Sequence, residues 1–206
     1  MLALFNIEGI LKSGGLILLA LIVFAESGML VGFFLPGDSL LFIAGFLAST
    51  AGGSKLPALP WVILTVVAAA IVGDQVGYVI GRKVGPRIFN RENSRLFSPR
   101  NINKTQAFFE RHGPRSIVLA RFVPVVRAFV AVIAGAGKMN YRTFVTYNIV
   151  GGVIWGVGLP ILGYYLGEQS WVKDNIEIVL IAVVVLSLVP VAIEFLRHRN
   201  KVEKVA

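Results

Sequence analysis

The chain has no cysteine, so disulfides, thiolate metal sites and thiol catalysis are all excluded. Histidine is nearly as scarce. His112 and His198 both sit in basic polar segments, outside the apolar runs. A histidine nucleophile or a histidine-held metal at membrane depth is therefore not expected, and no cofactor or metal site is assigned. Charge is sparse as well. Asp, Glu, Lys and Arg make up 15% of the 206 residues, against about 25% in soluble domains. Acids are the scarcer sign, 11 against 20 Lys and Arg, which leaves a net charge of +9. Nucleic acid could partner such an excess. Most of the base, however, flanks apolar stretches, which is the pattern of membrane topology and contact with anionic lipid. No nucleic-acid partner is expected. Near the N-terminus there is neither a basic cluster nor a small-x-small cleavage site. That end reads as retained, with residues 1–12 forming a short interfacial helix.

What the chain has in plenty is apolar residues, 56% of the total. They gather into runs at about 16–35, 36–50, 61–81, 117–136 and 143–167, with a sixth near 178–196. A helix needs about 20 residues to cross a bilayer. The run at 36–50 is too short and opens with Pro36-Gly37-Asp38, whereas 117–136 is long enough but contains Arg121, Pro124 and Arg127. Between them lies a basic stretch, 82–115, with nine Lys or Arg and two acids, and the tail from Arg197 adds four bases against one acid. The positive-inside rule puts both segments, and the C-terminus, in the cytoplasm. The spans at 61–81 and 178–196 must then run inward and 143–167 outward. Residues 116 and 142 therefore lie on the same side. So 117–136 enters and leaves on one face, as a re-entrant hairpin broken near Pro124. With the N-terminus also inside, 36–50 becomes a hairpin from the opposite face. Backbone of this kind is tolerated only where protein or a water-filled cavity surrounds it.

The two halves share a pattern. Phe34-Leu35-Pro36, Asp38 and Ile43-Ala44-Gly45 in the first match Phe122-Val123-Pro124, Arg127 and Ile133-Ala134-Gly135 in the second. Each set is followed by Gly-Tyr-x-x-Gly, at 77–81 and 163–167. The crossing count gives these two spans opposite directions. The expected fold is thus an all-α integral membrane domain, built as an inverted-topology repeat with two facing re-entrant hairpins plus transmembrane helices. The first repeat covers about 14–82 and the second about 117–168. A basic linker with an amphipathic helix covers 83–116, and a C-terminal span about 176–197. Folds of this plan bind substrate at the midplane, where the repeats meet.

The ionisable residues expected at membrane depth are Glu26, Asp38, Asp74, Arg121 and Arg127. An arginine there costs about 2.5–3.5 kcal/mol on insertion scales, and such residues usually mark a pathway. Each could instead serve only as a structural ion pair. The guanidinium fork suits phosphate, which it binds through two bonds. Residues six apart on one helix point about 120° from each other. A break at Pro124 could turn Arg121 and Arg127 toward one pocket, with freed amides adding anion donors. Glu26 and Asp38 are the candidate proton-exchanging groups, competing with an anionic ligand for the arginines. Asp74, Pro36, Gly37 and Pro124 are candidate supporting residues.

Three segments carry a family resemblance: "AESGMLVGFFLPGDSLLFIAGFLAS", "AAIVGDQVGYVIGRKVG" and the stretch from "LARFVPVVRAFVAVIAGAGKM" to Trp155. They closely resemble the bacterial DedA family, whose eukaryotic relatives share the SNARE-associated or VTT domain. The resemblance runs from about residue 14 to 200. It implies an inner-membrane protein with two facing re-entrant hairpins, serving envelope integrity and proton-motive-force-dependent resistance. Some members translocate undecaprenyl phosphate, and eukaryotic relatives scramble phospholipids. The family's essential acids match Glu26 and Asp38, and its essential arginines match Arg121 and Arg127.

The function expected on these grounds is transport of a phosphate-bearing lipid, coupled to protons, by a protein that is not an enzyme. Its partners are anionic or polyprenyl-phosphate lipids and protons. The alternative is a proton-coupled transporter of small cations or drugs, which two buried arginines would repel. A membrane phosphatase lacks its histidine or metal cluster. A scaffold using the 99–112 helix is a further reading. Gly151-Gly152, Gly156 and Gly158 allow close helix packing, within one chain or between copies in a homo-oligomer.

Overall fold

A computed structural model describes residues 7–28, 37–50, 52–53, 55–88, 113, 115–122, 124–175 and 178. The expected amphipathic helix at 99–112, the C-terminal span at 176–197 apart from residue 178, and Pro36 lie outside these residues. The described chain folds into seven helices: α1 (Ile7–Gly28), α2 (Gly37–Ala48), α3 (Leu59–Ile88), α4 (Arg115–Ala120), α5 (Pro124–Ala136), α6 (Tyr141–Gly167) and α7 (Ser170–Asp174). No strand occurs among the described residues.

Among the described residues two helices are long and apolar enough to cross a bilayer, Leu59–Val84 within α3 and Tyr141–Gly167. Their outer faces expose Leu64, Val72, Val153, Ile154 and Leu162, while Trp61 and Trp171 lie exposed near helix ends. Apolar residues on the outside suit lipid, and exposed tryptophans suit its interface. α6 starts firmly because the Asn140 side chain accepts from the amides of Arg142 and Thr143, at 3.0 and 3.4 Å, satisfying donors that a helix start leaves open. Pro160 lies inside α6 without ending it. The N-terminal piece expected as a separate helix is the start of α1, set off where Gly15 leaves helical geometry at φ 54°.

The sequence pattern predicts a fold-back within 36–50. Instead, Gly37–Ala48 is one unbroken helix. Gly37 opens it and Asp38 occupies its first turn, where a carboxylate favours the positive end of the helix dipole. The end of α1 meets the start of α2: the Glu26 carboxylate rests where a Cβ on Gly37 would fall. In the second half the break is where it was expected. α4 stops at Ala120, and α5 begins at Pro124, in the first helical position where its missing N–H goes unneeded.

At its far end α5 closes with Lys138 at φ 54°, while the amide of Met139 reaches Ala134 O at 3.0 Å and that of Lys138 reaches Gly135 O at 3.1 Å. This is a Schellman stop, with a lysine where glycine is usual. Tyr78 of α3 fastens the same turn by donating to Met139 O at 2.5 Å.

Two apolar cores form. One joins α1, α2, α3 and α6 through Leu19, Val23, Leu41, Leu47, Val62, Val66 and Trp155. The other joins α3, α4, α5 and α6 through Tyr78, Ile117, Ala131, Ala134 and Phe144. The paired sequence elements meet crosswise. Gly45 of α2 lies on the carbonyl of Pro160 in α6, and Gly163 of α6 on that of Phe42. Likewise Gly135 of α5 lies on the carbonyl of Tyr78 in α3, and Gly81 of α3 on that of Val132. Each Ile-Ala-Gly helix therefore packs, backbone to backbone, on the Gly-Tyr-x-x-Gly helix of the other half. A methyl group at any of these four glycines would strike a carbonyl.

Candidate functional site

Where the end of α1, the start of α2 and the start of α5 converge, Arg127 forms an ion triad. Its Nη2 donates to Glu26 Oε1 at 2.6 Å, and its Nη1 donates to Asp38 Oδ1 at 2.5 Å. Trp155 of α6 joins it. The indole Nε1–H donates to the same Asp38 oxygen at 2.8 Å, and the ring centroid stands 5.1 Å from Arg127 Cζ, within cation–π range. Helix geometry explains the convergence. Glu26 is two residues from the end of α1, Asp38 is in the first turn of α2, and Arg127 is in the first turn of α5, so three helix ends face one another.

Arg121 lies in the turn between α4 and α5 and points elsewhere. Its Nη2 bonds the carboxylate of Asp74 in α3 and the side-chain oxygen of Asn148 in α6. Asn148 in turn donates from Nδ2 to Ile71 O at 3.3 Å, tying α6 to α3. Arg121 lies close over Gly151, where a Cβ would fall 2.9 Å from its Cδ, while a Cβ at Gly152 would meet its guanidinium only at ordinary contact distance.

The two arginines differ in access. The Arg121 and Asp74 side chains are 2% and 6% exposed, whereas Asp38 is 30% exposed beside an Arg127 at 10%. The expected single pocket holding both arginines is therefore two clusters. Glu26 and Asp38 face Arg127, and Asp74 takes Arg121. The cause is the short turn after Ala120, which leaves Arg121 directed at α3 and α6 while Pro124 restarts the helix that carries Arg127. Several buried polar atoms have no hydrogen-bond partner among the described residues: Glu26 Oε2, Arg121 Nε and both amide atoms of Gln75.

Sequence reasoning missed Trp155 and Asn148. Both carried a signal. Asn148 is an amide within a run otherwise free of charge, and Trp155 stands mid-span, away from the interface where tryptophans gather. Asp74, expected only as a supporting group, is the direct ionic partner of Arg121. Gly37 supports the site by making room for the Glu26 carboxylate, and Pro124 by starting α5.

Three helix ends joined by buried charge, inside a shell of apolar surface, suit a helical membrane protein. The VTT domain family matches residues 35–165. Protein DedA of Escherichia coli strain K12 is 43% identical over 189 residues, covering 92% of this chain and 85% of that protein. An uncharacterized membrane protein of Mycobacterium leprae is 42% identical over 187 residues, covering 90% of this chain and 82% of its own length. Another, from Mycobacterium tuberculosis, is 32% identical over 189 residues, covering 89% and 86%. No solved structure matches. The chain belongs to the DedA family of VTT-domain membrane proteins.

Proposed function

We propose that this protein moves a phosphate-bearing lipid across the bacterial inner membrane, with proton exchange at Glu26 and Asp38 coupled to the movement. The lipid is a polyprenyl phosphate such as undecaprenyl phosphate, or a phospholipid, and the role is envelope homeostasis. In this reading the protein is a transporter and not an enzyme. The pair α4 with α5 is a re-entrant hairpin from the cytoplasmic face of an inverted repeat, its counterpart around α2 enters from the opposite face, and both termini are cytoplasmic.

The observation that carries the reading is Arg127 shared between two carboxylates from different helices, one of them partly open. A phosphate suits the same guanidinium fork through the same two donors, so it competes with Glu26 and Asp38. With both acids ionised the triad sums to −1. Adding a phosphate makes it more negative still, and protonating the carboxylates offsets this. Ligand binding and proton uptake therefore favour one another, and linkage makes the coupling reciprocal. Arg121, paired on its own side, shapes the site by holding the turn before α5.

One observation favours the cation-transport alternative: the most open charged group of the triad is the acid Asp38. Proton-driven export of a soluble cation from loaded liposomes would support that reading.

The test is reconstitution in liposomes with labelled undecaprenyl phosphate, with and without a proton gradient. Wild type moves the label and Arg127→Ala does not; equal rates overturn the phosphate site. Glu26→Gln with Asp38→Asn removes the response to the gradient. Transport that stays fully proton-sensitive in this double variant overturns the coupling.

A further inference from the structure

Trp155 is an aromatic group that touches both signs of the triad. It is 3% exposed and comes from α6, which contributes no charge to the site. Its indole N–H and the Arg127 guanidinium converge on a single oxygen, Asp38 Oδ1. Asp38 thus has two independent holders, one cationic and one neutral. If Arg127 were its only partner, drawing Arg127 toward a ligand would leave a carboxylate that is only 30% exposed without a protein hydrogen bond, which is unfavourable for a charge.

We propose that Trp155 is a positioning residue for ligand exchange: it keeps Asp38 hydrogen-bonded while Arg127 changes partners from carboxylate to phosphate. The inference rests on the Arg127 triad being a lipid-phosphate site. Trp155 does this without titrating and without following the ligand. The indole has a donor and no acceptor to offer, so it can hold a carboxylate but takes none of the cation's hydrogen bonds. Its ring lies near Arg127 and leaves the guanidinium attracted but unbonded. The arginine is therefore free to turn its donors elsewhere. The same contact links the site to α6, the helix that also carries Asn148 against Arg121.

Two measurements test this on the full-length protein in detergent. The first is binding of geranyl phosphate, a short isoprenyl phosphate probe. Trp155→Phe keeps an aromatic ring and loses the donor. It should weaken binding on the order of tenfold, the size of one hydrogen bond to a charged group. In an Asp38→Asn background the same change should have little effect, since a neutral amide needs no such holder. A residue that merely fills space would weaken binding equally in both backgrounds, and that outcome overturns the proposal.

The second measurement needs no ligand. Trp61 and Trp171 are 60% and 66% exposed, so Trp61→Phe with Trp171→Phe leaves Trp155 as a single indole for NMR. Its N–H resonance should lie downfield, as a carboxylate-bonded donor. It should stay there in Arg127→Gln and move upfield in Asp38→Asn. Loss of the downfield position in Arg127→Gln, or its persistence in Asp38→Asn, overturns the proposal. If the wild-type protein fails to bind the probe while the indole behaves as described, the phosphate reading fails and the Trp155–Asp38 hold stands.

Discussion

Arg121 and Arg127 are six residues apart and flank the same proline, yet they belong to different kinds of site. Arg121 is sealed, with one acid, one amide and two glycines packed against it. Arg127 has two acids and a tryptophan, and one of those acids is open. A sealed pair with matched charge resists exchange, because separating it strands both ions in a low-dielectric interior. A triad with one carboxylate in excess and partial access can trade partners. Under the proposed function the contrast divides the labour: Arg121 fixes the architecture around the break, and Arg127 handles the ligand.

Substitutions can break or sharpen that division. The largest loss of stability is expected from Arg121→Met, which strands Asp74 at 4% exposure. A loss of about 3–5 kcal/mol follows from removing one partner of a buried pair, read as a lower unfolding midpoint in detergent. Adding Asp74→Leu should recover most of it, since an apolar pair of similar volume often does as well as a buried ion pair. If the double variant is no more stable than the single, Asp74 has a task beyond pairing with Arg121.

Asn148→Leu comes next, at about 1–3 kcal/mol, because it deprives both Arg121 and the Ile71 carbonyl of a partner. Lipid transport by the folded fraction should persist. Arg127→Gln should cost a similar amount, since glutamine retains amide donors for Glu26, yet it should abolish transport. That dissociation between stability and transport, measured on the same preparations, separates the two arginines most sharply. The smallest effect on stability is expected from Asp38→Asn, under about 1 kcal/mol, as for partly solvated pairs, with its consequence confined to the proton response.

The glycine contacts offer a second, independent comparison. Gly45→Ala places a methyl against the Pro160 carbonyl, whereas at Gly158 nothing lies within 4 Å. The first should destabilise by about 1–3 kcal/mol through overpacking. The second should be neutral or stabilising by up to about 1 kcal/mol, as alanine is the better helix former. Equal unfolding midpoints for the two would mean that the α2–α6 contact is looser than drawn.

Much of the architecture was legible because it depends on local chemistry. Pro124 marks a helix start, and α5 begins there. Ile-Ala-Gly and Gly-Tyr-x-x-Gly stood out as paired elements, and all four glycines at the reciprocal contacts come from them. The fold-back assigned to 36–50 was misread for a local reason. Pro36-Gly37-Asp38 looks like a break inside a short apolar run, but proline, glycine and an acid also make a good helix start, and α2 uses Gly37 and Asp38 that way. The division of the arginines could not be read. The sequence puts three acids and two bases in its first five apolar runs, and charge balance alone suits any pairing among them.

Composition and spacing were therefore enough to establish a membrane-embedded helical protein, broken near Pro124, that puts intramembrane charge in both halves. Apolar length and proline chemistry are properties of neighbouring residues, so one strand of text records them. Which carboxylate meets which arginine, and that Trp155 and Asn148 join them, depends on residues far apart in the chain: Asp74 and Arg121 are 47 positions apart, and Asp38 and Trp155 are 117. Those pairings follow from how close the helices pack and how they are rotated, which in turn follow from glycines seated on the carbonyls of the opposite half.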